Sequence, residues 1–283
     1  MEHSDNTNPL LKYYRQPGIT CRLPSDGRFQ DPDNVRFTSS GEISVLPMRA
    51  ADEMLLKSPD ALMSGMAIEK VIKSCVPDVK DPQQLPTPDV DTLLLAIRTA
   101  TYGPEMSVDS QCPECGTDNS YTFDVNAILG TVTPLDTEYP VRLSSEIIVY
   151  LRPFNFKNST QASLVAFQEA RKVQLVDTDQ FTDEEKQRQL NQSFERINTM
   201  NVQMVADCVE SVVVPEGAIV NREHISAFIH NIEQKWVATI EQNLKAINNA
   251  GINKSHMINC TNCKHEWETT VEFDPANFFG QSS

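Results

Sequence analysis

Four of the seven cysteines fall into two C-x2-C pairs, Cys112 with Cys115 and Cys260 with Cys263. The first pair opens Cys112-Pro113-Glu114-Cys115-Gly116, and Tyr121 to Val125 alternates behind it. The second opens Cys260-Thr261-Asn262-Cys263-Lys264-His265, and Thr270 to Asp274 alternates in the same way. A C-x2-C turn points both sulfurs at one centre while its backbone N–H groups donate to them. Gly116 suits the tight backbone just after the second cysteine. Two such turns supply the four tetrahedral ligands of a closed structural zinc site. The expectation is one structural Zn2+ on Cys112, Cys115, Cys260 and Cys263.

The two pairs are far apart, with 144 residues between Cys115 and Cys260. Closing a loop costs free energy as the logarithm of its length. Lengthening it from the 20 residues of a compact ribbon adds only about 1.7 kcal/mol, whereas structural zinc returns on the order of 10–16 kcal/mol. The zinc term wins, most easily if the intervening chain is folded and brings its own ends together. Three other readings compete. A thioredoxin-like redox pair sits between a strand and a helix, whereas here each pair precedes a strand. An Fe–S cluster also takes four thiolates, but ribbon-like strands disfavour it. Unrelated surface cysteines would not repeat the pattern. His256 or His265 can replace a thiolate, although a histidine beside four cysteines is more often a neighbour of the site than a ligand.

Zinc ribbons often bind nucleic acid through basic residues near the metal. Here Asp109, Glu114, Asp118 and Asp124 surround the first pair, with no Lys or Arg across residues 109–124. Lys254 and Lys264 near the second pair face Glu266, Glu268, Glu272 and Asp274. The chain as a whole carries a net charge of −15 and a pI near 4.7. Such a surface repels phosphate and anionic membrane, so a structural clip or a protein-binding knob is the better reading. No glycine-rich phosphate loop, H-E-x-x-H or G-x-S-x-G occurs. His224 and His230 are six apart and share no helix face. No constellation supports catalysis, so no enzyme is expected.

The elements that must position the cysteines are legible from periodicity and punctuation. Residues 1–46 read as an arm with a turn at Ser25-Asp26-Gly27 and a strand over Glu42–Leu46. Helices are expected at Met48–Lys57, after Ser58-Pro59-Asp60, and through Ile68, Val71, Ile72 and Cys75. The clearest runs over 88–102, capped by Thr87, opened by Pro88 and stopped by Gly103-Pro104. Strands are expected over Val141–Leu151 and a hairpin around Pro215-Glu216-Gly217. Between them lie a helix over Ser159–Val176 and a polar helix opened by the capping box Thr182 to Glu185. One long helix runs from Asn221 to Gly251, with Trp236 in its apolar stripe.

The fold class is α+β: a mostly helical body with short β segments and a discontinuous ribbon near residues 110–126 and 255–274. The expected division is an arm at 1–46, a helical segment at 47–109, the ribbon, an inserted segment at 127–254 and a tail at 275–283. Polar, acidic Met1 to Asn6 is unlike a secretory signal. The longest apolar runs fall far short of the roughly 20 residues a membrane helix needs. The expectation is a soluble protein made in a cytoplasm, where thiols stay free or metal-bound.

One further pattern is the order of short segments. Leu23-Pro24-Ser25-Asp26-Gly27-Arg28-Phe29 precedes Gly41-Glu42-Ile43-Ser44-Val45-Leu46-Pro47-Met48-Arg49-Ala50. Then come Glu53 to Leu56, Ile72-Lys73-Ser74-Cys75, Asp91 to Arg98, Tyr102-Gly103, Cys112 to Cys115, and Val149-Tyr150-Leu151-Arg152-Pro153-Phe154. Over roughly residues 20–240 this order resembles the T4-like phage baseplate protein family of baseplate hub subunits and hub-assembly proteins of contractile-tailed phages. The resemblance implies a non-enzymatic, structural or chaperone-like role in tail assembly. It also implies tail-protein partners, the hub and the tape-measure protein, and a place in the host cytoplasm during assembly or in the virion tail. No site residues carry over from it. A zinc-ribbon nucleic-acid-binding regulator is the rival, and a C-x-x-C thiol oxidoreductase the third possibility.

Overall fold

The computed structural model of the chain describes residues 10, 14–176 and 182–270. Its first layer is a short antiparallel pair, β1 (Ile19–Cys21) and β2 (Ile43–Val45), in which Ile19 faces Val45. Alternation explains β2: Ile43 and Val45 point into the core, while Ser44 points away. Three helices follow, α1 (Ala50–Leu56), α2 (Pro59–Met63) and α3 (Met66–Cys75). In α3 the expected stripe of Ile68, Val71, Ile72 and Cys75 is buried. Ser58 stands at the N-cap of α2 but makes no side-chain cap bond.

At the centre lies α4 (Thr87–Tyr102). Sequence periodicity assigns it one apolar face, yet nearly every residue from Pro88 to Thr99 is buried. A helix enclosed all round is a core helix rather than a surface one. The enclosure comes from β1, β2 and α3 together with α5 (Val125–Leu129) and α6 (Phe156–Val176). Thr87 is not the cap: it is the first helical residue, and its hydroxyl donates to the Phe154 carbonyl.

Residues 19–46 are not an arm. Leu23 is 1% and Ser25 0% exposed, and both lie against α4 and its neighbours. The polar, proline-rich composition of this stretch reflects tight turns, not solvation. Ser25 supplies the reason for its order: its N–H and hydroxyl reach the two Asp89 carboxylate oxygens at 2.9 and 2.5 Å.

The second core lies under a four-stranded antiparallel sheet in the order β5 (Tyr139–Arg142), β6 (Ile148–Leu151), β7 (Val209–Val214), β8 (Gly217–Ile219). Val149, Leu151, Val209 and Val212 on its inner face meet Ile225, Ile229, Ile240 and Leu244. Between β6 and β7 the chain leaves as α6 and returns as α7 (Asp183–Asp207), which pack against each other. The expected capping box opens α7: Glu185 N–H donates to the Thr182 hydroxyl, and Thr182 N–H to the Glu185 carboxylate. Buried Glu169 of α6 accepts from Ser193 of α7 and pairs with Lys172 and Arg196.

The single helix expected from Asn221 is two, α8 (Arg222–Asn231) and α9 (Gln234–Asn248), with Ile232 and Glu233 extended between them. His230 and Asn231 turn their side chains back onto the carbonyls of Ser226 and Ala227. The break lets the apolar stripes of both helices reach one core. Trp236 sits at this corner half-buried, not in the core. Among the described residues no helix is long and apolar enough to cross a membrane.

Three contacts bring the ends of the insertion together. Thr133 N–H donates to the Gly251 carbonyl at 2.8 Å. Asn253 N–H reaches the Thr131 hydroxyl at 3.3 Å, and Lys254 pairs with Asp91 of α4. Gly251 is required there: its φ is 99°, and a Cβ would lie 2.9 Å from Pro24 and 3.2 Å from Pro88.

Burial pushes the Asp89 carboxyl up from 3.8 to about 7, against the opposing pull of its bonds to Ser25. Between these values the folded protein keeps a proton that the unfolded chain has lost. The stability from the neutral acid is therefore full below pH 3.8 and is lost as pH rises through about 7. Asp89→Asn mimics the neutral acid. Measured by denaturant unfolding, the variant is expected to gain on the wild type by on the order of 4 kcal/mol between acid and mildly alkaline pH. A difference that stays flat with pH contradicts the raised value.

Candidate metal centre

Two antiparallel hairpins carry the cysteine pairs. The first joins β3 (Glu105–Gln111) to β4 (Asp118–Asp124), and the second joins β9 (Ser255–Asn259) to β10 (Glu266–Thr270). Each C-x2-C turn is the tip of its hairpin. The sequence shows the strand after each pair, but β3 and β9 before them are missed. Their signal is weak: Met106 and Val108 alternate among polar residues in β3, whereas Met257 and Ile258 stand side by side in β9. The expected ribbon residues 271–274 and the tail at 275–283 lie outside the described residues.

The two tips are built alike. Cys112 N–H donates to the Thr117 carbonyl, and Cys260 N–H to that of His265. Gly116 N–H then donates back to Cys112, and Lys264 N–H to Cys260. Both returning residues are left-handed, Gly116 at φ 70° and Lys264 at φ 63°. Glycine accepts this conformation freely, whereas Lys264 adopts it at a strain that sequence reasoning does not reveal.

The hairpins face each other across their inner sides. Phe123 packs on His256 at 4.9 Å, Tyr121 meets Trp267 edge-on, and the Tyr121 hydroxyl donates to the Asn259 carbonyl. At the tips the four sulfurs of Cys112, Cys115, Cys260 and Cys263 lie within 4.8 Å of one another. Cys112 is 3.7 Å from Cys263, and Cys115 is 3.6 Å from Cys260. A tetrahedral shell with Zn–S bonds of about 2.3 Å sets neighbouring sulfurs about 3.8 Å apart. A disulfide needs about 2.05 Å. The four cysteines can therefore hold a metal ion. Cys112 and Cys260 are buried, while Cys115 and Cys263 are exposed.

The local chemistry favours thiolates but not four at once. The Thr117 hydroxyl, 3.2 Å away, and the Thr117 backbone draw the Cys115 thiol down to about 6. The Cys263 backbone N–H lowers Cys260. The His265 N–H favours the Cys263 thiolate. Desolvation and the sulfurs of Cys115, Cys112 and Cys260 outweigh it and push that thiol up to about 12. Gathering all four as anions calls for a cation at their centre. The cluster consists of the cysteines alone among the described residues. The His256 ring is tilted against Phe123, and His265 stacks on Trp267. The scattered thiols of Cys21, Cys75 and Cys208 stay apart, and burial raises them to about 12, 11 and 12.

Gly116 isolates the backbone contribution to this centre. A Cβ there would meet nothing within 4 Å. Gly116→Ala is therefore expected to cost only the left-handed penalty, about 1–2 kcal/mol, in the unfolding free energy of the metal-loaded protein. A neutral substitution would mean that the turn relaxes.

Comparison with known proteins bears on the role of this centre. The sequence model of one family, described as T4 bacteriophage base plate protein, matches residues 19–280. No curated protein and no solved structure matches the chain. The match spans nearly the whole chain, including the first strand, both cysteine pairs and the helical insertion between them. The chain belongs to the T4 bacteriophage base plate protein family.

Proposed function

We propose that this is a non-enzymatic structural or chaperone-like assembly protein of the baseplate hub, fastened by one structural zinc on Cys112, Cys115, Cys260 and Cys263. The observation that carries it is the meeting of four sulfurs from two distant pieces of chain at zinc-like spacing, within a baseplate family member. The donor set fits the ion: four soft thiolates in two turns, with backbone N–H groups around them. Bound there, zinc supplies charge neutralisation and a rigid cross-link, not a reactive site, because no ligand position is left for a substrate.

The commitments of the buried ionisable groups support a shape-holding role. Burial alone would raise Asp52, but the bonds from Arg49 and Ser74 hold it below the usual carboxylate range. Lys172 does the same for Glu169, joined by Ser193 and Arg196. In this reading the ribbon of residues 110–126 and 255–274 is one unit, closing the inserted segment 127–254 onto the helical segment 47–109. Its partners are other tail proteins, the hub and the tape-measure protein among them, met in the host cytoplasm during assembly. The acidic surface selects basic or neutral protein faces over nucleic acid.

Native mass spectrometry tests the metal. One zinc per wild-type chain and none on Cys260→Ser is the expected result, with the melting temperature falling on chelation as binding to the folded state requires. Metal-free protein whose paired thiols cycle through a disulfide overturns the zinc centre. Affinity purification from infected cells tests the role. Tail proteins should co-purify at salt concentrations that strip electrostatic DNA binding. Salt-sensitive retention of DNA without tail proteins would favour a nucleic-acid regulator.

A further inference from the structure

We propose that Asn119 is the positioning residue that joins the two halves of the metal centre. This rests on the four-thiolate reading above. Asn119 belongs to β4 and is 5% exposed, so its amide must find its partners inside the protein. It finds one for every donor and acceptor. The oxygen accepts from the Thr261 N–H at 2.9 Å and from the Thr261 hydroxyl at 2.7 Å. The nitrogen donates to the Thr117 carbonyl at 2.8 Å and reaches the Cys260 sulfur at 3.8 Å. The partners fix which end is which, because a backbone N–H only donates and a carbonyl only accepts.

Three of these four contacts cross to the other hairpin and end on residues 260 and 261. One amide therefore holds its own tip through Thr117, seats the opposite tip through Thr261, and places an N–H against a ligand sulfur. A weaker counterpart runs the other way. Asn262 of the second tip reaches Cys115 at 3.9 Å and the Thr117 hydroxyl at 3.4 Å, but it is exposed. Metal ligands rely on such neighbours for orientation, and removing one typically costs 10–100-fold in affinity. Here the neighbour also fixes the two tips against each other at the sulfurs, where the other cross-hairpin contacts, of Tyr121 and Phe123, do not reach.

Asn119→Asp keeps the acceptor for Thr261 but loses both donors and sets a carboxylate against the Thr117 carbonyl and the Cys260 sulfur. Asn119→Leu keeps the volume and loses every bond. Tyr121→Phe is the control, since it removes a cross-hairpin bond that touches no sulfur. On the full chain, two quantities would be measured: zinc affinity by chelator competition, and the sulfur-to-metal charge-transfer bands after loading with Co(II). Both Asn119 variants are expected to bind one metal, with zinc affinity reduced roughly 10–100-fold and shifted bands. Tyr121→Phe should match the wild type in both. Wild-type affinity and spectrum in the Asn119 variants, or an equal loss in Tyr121→Phe, overturns the proposal while leaving the zinc centre standing. A wild-type chain that binds no metal overturns both. If the Asn119 variants fail to fold, Thr261→Val decides. It removes one donor from an exposed residue and should show a partial loss, and no loss overturns the assignment.

Discussion

Four sulfurs within 4.8 Å of one another place residues 112–115 and 260–263 at one point, so everything between them must fold as a loop with coincident ends. The body meets this constraint before any metal is considered. Thr133 is bonded to Gly251, Asn253 to Thr131, and Lys254 to Asp91 on α4, the central helix of the first core. These contacts shrink the loop that the metal has to close from 144 residues to the two hairpins themselves. The logarithmic entropy of a long loop is then largely met by ordinary folding, and a metal ion held by the four sulfurs would act on hairpins already side by side. The order of dependence runs from core to clip: α4 orders the chain ends, and the ends present the tips.

That dependence explains the concentration of strict local requirements near α4. Gly251 cannot carry a side chain between Pro24 and Pro88. Asp91 lies under Lys254, where desolvation raises its carboxyl and the lysine opposes the rise. Asp89, two residues earlier and so on the opposite side of the same helix end, instead meets Ser25 and keeps its proton up to about 7. Two carboxylates at one helix start thus do different jobs. One takes a cation that anchors the second ribbon half, and the other takes two donors that pin the loop at 23–29.

Much of this was legible in the sequence where a residue type has one physical use. Two C-x2-C turns imply four converging sulfurs, Thr182 with Glu185 implies a helix start, and Gly116 implies a left-handed turn. Other features were illegible because their partners lie far along the chain. Nothing local shows that Asn119 meets Thr261, or that Ser25 meets Asp89. Nothing local shows that Lys264 takes the place of a glycine either. That Cys21, Leu23, Ser25 and Val35 are buried against the first core was hidden for the same reason: the turns around them look solvated until α4 is beneath them. The break between α8 and α9 escaped because the apolar stripe runs through it unbroken, and only the geometry of the second core demands a corner.

The ribbon itself is unequal on its two sides, and this bears on what a clip in a baseplate family protein can do. The first cysteine of each pair, Cys112 and Cys260, faces inward, while Cys115 and Cys263 face solvent. The inward side carries the crossing bonds of Asn119 and the packing of Phe123 on His256. The outer side carries Glu114 and Lys264, and its bonds, from exposed Asn262 to Cys115 and Thr117, are longer. A symmetric, fully enclosed centre would add rigidity evenly. This one is buried at Cys112 and Cys260 and open at Cys115 and Cys263. The crossing bonds thus fix the inner side of the centre, and the tip stays open, with Glu114 and Lys264 balancing each other in charge.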